Sequence, residues 1–472
     1  MQSFQCLIDG ALVEGGAGTV SVINPATGAP FASCGYASMA QLDSAVAAAG
    51  AAFPKWSELA VLERAKVLAR IADAIELHAE ELARLLTQEQ GKPLAESRFE
   101  IIGTVAYLRF YADYKLPLKV LEDSDARFVE QRRRPLGVVA AIVPWNYPLL
   151  LLAGKIAPAL LAGNTVVAKP APTTPVTTLR FAVLLVDIVP AGVVNVIADN
   201  GDLGAALCSH PGVRKVSFTG STATGSKVMA SAASTLKRIT LELGGNDAGI
   251  VLDDVDPTVA AEQLFNVAFA NNGQICVALK RVYVHDRVYD AVCDALATIA
   301  DTVVVGNGLE PGTRLGPLQN ERQREIVESL VADARRHGKV IAGGERVDGP
   351  GFFFRPTIVR DINDGTRLVD EEQFGPVLPV IRFSDVADAI RGANSSSYGL
   401  GGSVWSADYE RAMAIAGKLD AGTVWINKHM DAGPHIPLAG AKLSGIGVEY
   451  GEEGIAEYTQ LQIINATKQP GR

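Results

Sequence analysis

Cysteine is scarce in this 472-residue chain: Cys6, Cys34, Cys208, Cys276 and Cys293 form no Cys-x-x-Cys pair. An odd, widely spaced set excludes a disulfide framework and suits a reducing compartment, so a cytoplasmic protein is expected. The six histidines show no ligand spacing with one another or with the cysteines, and no metal is expected. Positive charge is also short, with 43 Lys and Arg against 52 Asp and Glu and a formal net charge of -9. That balance argues against a partner bound through its phosphates, which needs a clustered cationic face. The one basic run, Arg132-Arg133-Arg134, is too short to change this and reads as a solvated loop or strand edge. The longest uncharged stretch, residues 135–154, is interrupted by Pro144, Asn146 and Pro148, so no membrane-spanning helix is expected. Residues 2–14 mix polar and apolar side chains, which supports neither secretion nor import.

What remains is a soluble, globular composition, 48% hydrophobic and 20% charged, long enough for two or three domains. Apolar residues at helical spacing over 63–90 predict one long amphipathic helix stopped by Gly91 and Pro93. From residue 136 the chain alternates continuous apolar runs with helical segments. Strands are predicted at 136–143, 165–168, 193–197, 214–218 and 238–241, with helices between them. Such βα units read as a doubly wound parallel sheet. A second alternating series starts at 248 and runs to 427, which predicts a second α/β domain and a boundary near Gly244-Gly245. No repeat of solenoid period is present.

In a doubly wound sheet, ligands bind beyond the carboxyl ends of the strands. Asn146, Lys169, Gly220 and Glu242 each follow a predicted strand. Taken singly, an Asn between prolines is a turn, a Lys before proline is solvated and a Gly after a strand is a turn. Taken together, they line one crevice. Gly220-Ser221-Thr222-Ala223-Thr224-Gly225 opens a helix whose first amides can face a pyrophosphate. It is neither Gly-x-Gly-x-x-Gly nor a P-loop, because Ser226-Lys227 reverses the required Lys-Ser order. Cys276 follows Asn271-Asn272-Gly273-Gln274-Ile275, where the glycine suggests a backbone bent close to something. A lone cysteine is usually a small buried hydrophobe. With a carboxylate at Glu242 and an amide at Asn146, a thioester chemistry becomes the alternative.

These residues are similar to the aldehyde dehydrogenase superfamily. The resemblance runs in order through Asn24-Pro25-Ala26-Thr27-Gly28, Pro144-Trp145-Asn146, Lys169-Pro170, Phe218-Thr219-Gly220-Ser221, Glu242-Leu243-Gly244-Gly245, Gly273-Gln274-Ile275-Cys276, Glu372-Gln373-Phe374-Gly375-Pro376 and Val424-Trp425-Ile426-Asn427. It implies Cys276 as nucleophile, Asn146 with the Cys276 backbone N–H as oxyanion donors, and Glu242 as the base that activates the hydrolytic water. It further implies cofactor contacts from Trp145, Lys169, Gly220, Ser221, Gly225, Leu243, Glu372 and Phe374. Tyr147, Leu151, Gly154, Ala270, Ile275, Val277 and Leu438 would line the substrate pocket, with Lys155 and Asn427 nearby.

The implied architecture is a Rossmann-type cofactor domain (1–114 and 136–243), a catalytic domain (244–445) and a small β oligomerisation element (115–135 and 446–472), assembled as a homodimer or homotetramer. The expected cofactor is NAD. NADP is not excluded, since Ala171-Pro172 stands where many relatives carry a ribose-gripping glutamate. Small residues at Gly154 and Ala270, with Pro437-Leu438-Ala439-Gly440, suggest a roomy pocket mouth and a bulky, aromatic or semialdehyde substrate. Lys428, His429 and His435 are candidates for an anionic tail, or simply solvated loop residues. The alternatives are resolution of the thioester by coenzyme A and, from a different class, a nucleotide-binding protein that is not a dehydrogenase.

Overall fold

The computed structural model describes residues 2–116 and 118–468. Met1, Pro117 and residues 469–472, which fall within the expected cofactor and oligomerisation segments, lie outside the described residues. Two parallel sheets dominate. The first is built on Val138–Ile142 and Thr165–Lys169, aliphatic runs buried at every position. Strands buried on both faces need helices on both sides, and the intervening segments supply them. Pro148–Ala162 begins with proline at its first position and ends at Gly163, whose φ of 98° terminates the helix in the left-handed region.

In space, the parallel strands run Arg238–Glu242, Val213–Thr219, Val138–Ile142, Thr165–Lys169, Val194–Val196. The chain starts in the middle, moves outward on one side, then crosses back to build the other. The reversal falls between Val138–Ile142 and Val213–Thr219, which opens a crevice at their carboxyl ends. Register makes those ends level: Ile142 pairs with Phe218 and Thr219 with Glu242. Antiparallel strands close the edges, Cys6–Ile8 with Ala11–Val13 on one side and Gly445–Ile446 on the other.

The second sheet runs Lys339–Ala342, Thr357–Arg360, Val377–Phe383, Leu279–His285, Asp247–Val251, Gly401–Trp405, Thr423–Ile426 and is parallel apart from its first pair. Only residues 243–246 separate the end of Glu242's strand from the start of this sheet. A β-carbon on Gly245 would lie 2.4 Å from the Cys276 carbonyl oxygen, so the linker passes against the cysteine backbone as only glycine can. A third, antiparallel sheet joins Lys119–Asp123, Arg127–Pro135 and Thr459–Thr467, the last pair in register from Thr459↔Pro135 to Thr467↔Arg127.

Two features differ from expectation. The helix predicted over 63–90 is two, Val61–Leu77 and Ala79–Gln90, broken at His78, where Glu80 and Glu81 begin a new first turn. The N-terminal strands, several only three residues long, carry too little periodicity to be read. Before the last strand of the third sheet, Thr459–Thr467, the chain packs Tyr450, Ile455 and Tyr458 into the core of the first sheet.

Candidate active site

The Cys276 loop is shaped by three consecutive left-handed residues, Asn271 (φ 47°), Asn272 (φ 57°) and Gly273 (φ 75°). Side-chain amides hold this strained turn: Asn272 Nδ2 donates to Gly316 O at 3.0 Å and Gln274 Nε2 to Asn271 O at 2.9 Å. Lys280 Nζ donates to Gly273 O at 2.7 Å. A β-carbon at Gly273 would lie 2.3 Å from Gly375 O, the close approach that its type suggested.

Asn146 reaches this loop from the end of its strand, donating through Nδ2 to Gln274 O at 3.0 Å. An amide nitrogen carries two protons, so a second N–H remains for an oxyanion beside Cys276. Glu242 is buried, and neither of its oxygens has a hydrogen bond of ordinary geometry. It faces the thiol closely enough for each group to shift the other. Burial, helped by the Glu449 and Glu372 charges and opposed by the Cys276 and Lys155 side chains, leaves the Glu242 carboxyl raised to about 7. The same burial, with the Glu242, Glu372 and Asp247 charges, pushes the Cys276 thiol well above its usual range.

These groups open on one cavity of about 220 Å³, also lined by Trp145, Gly220, Ser221, Leu243, Glu372 and Phe374. Trp145 and Phe374 stand edge to face at 5.3 Å. Glu372 accepts from Gly245 N at 3.0 Å, and burial raises its carboxyl to about 7. The helix Thr222–Ala233 aims its N-terminus at the cavity, capped by Ser221, whose side chain accepts from Thr224 N. Gly225 lies under Leu243, whose Cδ2 would be 2.4 Å from a β-carbon there.

The aldehyde dehydrogenase family model matches residues 12–464. The chain belongs to that family. It is 42% identical to a phenylacetaldehyde dehydrogenase of Pseudomonas fluorescens over 94% of this chain and 92% of the relative. It is 40% identical to a mitochondrial succinate-semialdehyde dehydrogenase of Arabidopsis thaliana, over 94% and 86%. The structure of an NAD+ complex of a Bacillus cereus aldehyde dehydrogenase superposes with a TM-score of 0.96 at 38% identity, covering 99% of this chain and 97% of that one.

Other residues tied to the site of this aldehyde dehydrogenase carry no local motif. Lys92 Nζ donates to the Asn146 carbonyl at 2.6 Å and pairs with Glu100 at 2.7 Å, both side chains fully buried. The other Glu100 oxygen accepts from Leu149 N and Leu150 N at the start of the following helix. Asn146 is thus held through both its side chain and its backbone. On the other flank, Lys155 Nζ pairs with Glu449 at 2.7 Å and donates to Ser217 Oγ at 3.1 Å. Gln323 and Ile326 complete the cavity wall, and Gln323 Nε2 fixes the carbonyls of Gln373 and Phe374.

The remaining expected residues scatter. Lys169 lies outside the cavity lining, its Nζ bonded to Asp199 at 2.6 Å. Tyr147 is close enough to Cys276 for the two to interact electrostatically, and its ring lies under Lys92 Nζ at 3.4 Å. Ala270 borders a separate cavity with Glu96, Phe269 and Arg314. Leu438 exchanges backbone hydrogen bonds with Glu449. Leu151 and Val277 are half-buried and Ile275 is buried, none of them in the cavity wall. Asn427 clamps Ser406 through both amide atoms. Gly154 opens no space: a β-carbon there would lie 2.6 Å from Tyr450 Cε1, so an aromatic ring from elsewhere fills the gap on which part of the roomy-pocket expectation rested.

Proposed function

We propose that this aldehyde dehydrogenase oxidises an uncharged aryl or arylalkyl aldehyde to the carboxylic acid with NAD, through a thioester on Cys276. The observation that carries the reading is the meeting of Cys276, Glu242 and Asn146 on one cavity. Glu242 takes the Cys276 thiol proton, and passes it to solvent before hydrolysis, while the sulfur adds to the aldehyde carbon, giving a thiohemiacetal whose oxyanion is stabilised by the Asn146 amide and the Cys276 N–H. NAD, when bound, supplies the acceptor for the hydride that leaves this carbon. Glu242 then takes a proton from water, the hydroxyl adds to the thioester carbonyl, and the C–S bond breaks to release acid and thiol. A carboxyl with a pKa of about 7 and two free oxygens suits that task.

The residues fit a dinucleotide. The capped helix N-terminus at Gly220, Ser221 and Gly225 would hold the pyrophosphate, Glu372 the nicotinamide ribose hydroxyls, and Trp145, Leu243 and Phe374 would pack beside the ring. Lys169 would approach the adenosine ribose, and its pairing with Asp199 favours NAD by leaving no free cation for a 2′-phosphate. NAD in the Bacillus cereus complex supports this choice.

An aromatic substrate is supported by the phenylacetaldehyde relative. An anionic semialdehyde is less favoured, because Lys428 pairs with Asp431 and His429 is buried against Asp247. Val120, Leu121, Leu461 and Ile463 leave apolar side chains exposed on the third sheet, which supports a homodimer or homotetramer formed through it. Five free cysteines fit a reducing cytoplasm, and no helix among the described residues is long and apolar enough to cross a membrane. The test is kcat/KM with NAD for acetaldehyde, phenylacetaldehyde and succinate semialdehyde, with product assayed as free acid or acyl-CoA. Phenylacetaldehyde should lead and free acid should form. A lead for acetaldehyde, or CoA-dependent turnover, would contradict the reading.

A further inference from the structure

Tyr450 occupies the place that a side chain at Gly154 would take, with Cε1 2.6 Å from the ideal β-carbon position. Its ring is 6% exposed and stands edge-on to Tyr107 at 4.8 Å between centroids. Burial pushes its hydroxyl well above the usual range, and Tyr107, Glu449, Glu242 and Cys276 add to the shift. Gly154 lies on the helix that starts at Pro148, two residues after Asn146, and Gly445, five residues before Tyr450, pairs with Glu242, so the ring packs between the segments that carry two of the site residues.

The backbone of Tyr450 has φ 65° and ψ 169°, a region that glycine adopts freely and other residues only when neighbours over-determine it. Here they do. Glu449 exchanges backbone hydrogen bonds of 2.8 and 2.9 Å with Leu438, and its carboxylate grips Lys155 at 2.7 Å. On the other side, Gly451 N donates to Pro434 O at 2.9 Å, and the Tyr111 hydroxyl donates to Gly451 O at 3.4 Å. A corner held this firmly in a strained conformation aims its side chain at one place.

The cavity lined by Trp145, Glu372 and Phe374 reaches Cys276 from the strand ends, and Tyr450 is not part of its wall. A cofactor filling that cavity would occupy this approach, so the aldehyde needs another. We propose that Tyr450 is the specificity-determining wall of the acyl pocket, its ring standing in for the side chain that Gly154 lacks and limiting the group that fits beside Cys276. The proposal rests on the reading of Cys276 as nucleophile.

The experiment compares kcat/KM with NAD for acetaldehyde and 2-naphthaldehyde in the wild type and in Tyr450→Gly, a replacement suited to this backbone. The 2-naphthaldehyde to acetaldehyde ratio should rise at least tenfold, within the range that pocket-size changes produce. A smaller rise overturns the proposal. Melting temperatures give a second readout that needs no turnover. Gly154→Ala should melt below the wild type, whereas in the Tyr450→Gly background, which itself loses a buried ring, the same change should cost nothing further. A Gly154→Ala protein that melts with the wild type, or a loss of the same size in the Tyr450→Gly background, also overturns it. A wild type that reduces no NAD with any aldehyde contradicts the proposed function instead.

Discussion

Asn146 donates its side-chain amide to the carbonyl of Gln274 at 3.0 Å, two residues before Cys276, across 128 residues of chain. The contact joins the segment after a strand in the first sheet to the Cys276 loop between the two sheets. In the proposed mechanism, removing the amide removes one oxyanion donor. Asn146→Ala should lower kcat by about 100-fold with little change in NAD affinity. Steady-state kinetics and a binding titration check both parts.

The Lys92–Glu100 pair, fully buried under Asn146, should behave as a unit. Breaking a buried pair by removing one partner leaves an uncompensated charge and costs about 3–5 kcal/mol. Lys92→Met should therefore lower the melting temperature strongly, and Lys92→Met with Glu100→Leu should recover much of the loss. Thermal melts of the two singles and the double form the cycle that tests it.

Much of this site is legible in the sequence because its strands are continuous apolar runs, so the polar residues that follow them announce a crevice. Asn146, Gly220 and Glu242 are found that way, and the Asn271–Cys276 loop by its glycine. Lys92, Glu100, Glu449 and Gln323 are not, because each reaches the site through tertiary contact and carries no local pattern. Gly154 teaches the converse. A missing side chain reads as space, yet Tyr450, far along the chain, fills it.

Glu242 should set the pH dependence of turnover. In the proposed mechanism its carboxyl must be ionised to take a proton from water, and burial raises it to about 7. Thioester hydrolysis should therefore increase as pH rises through about 7 and level off above it, provided hydrolysis limits kcat. Stability runs the other way. A carboxyl whose folded pKa lies above its unfolded value binds protons more tightly when folded, so its contribution falls as pH rises from about 4.5 to about 7. Glu242→Gln should melt higher than the wild type at pH 8 and converge with it at pH 4. Calorimetry at the two pH values reads the difference.

Asp199 should govern the choice of dinucleotide through Lys169. With the 2.6 Å pair intact, the ammonium is neutralised and a 2′-phosphate gains nothing from it. Asp199→Asn should raise the NADP to NAD ratio of kcat/KM by about tenfold or more, about 1.4 kcal/mol in favour of the phosphate. An unchanged ratio would mean that Lys169 does not meet the adenosine ribose.

The central claim is that Cys276 forms the thioester and Glu242 ends it, and pre-steady-state kinetics of Glu242→Gln test it most directly. The variant should release a burst of NADH equal to its active sites while steady turnover collapses, and mass spectrometry should find the acyl group on the Cys276 peptide. Wild-type protein that turns over, beside a variant with neither burst nor adduct, would contradict the account.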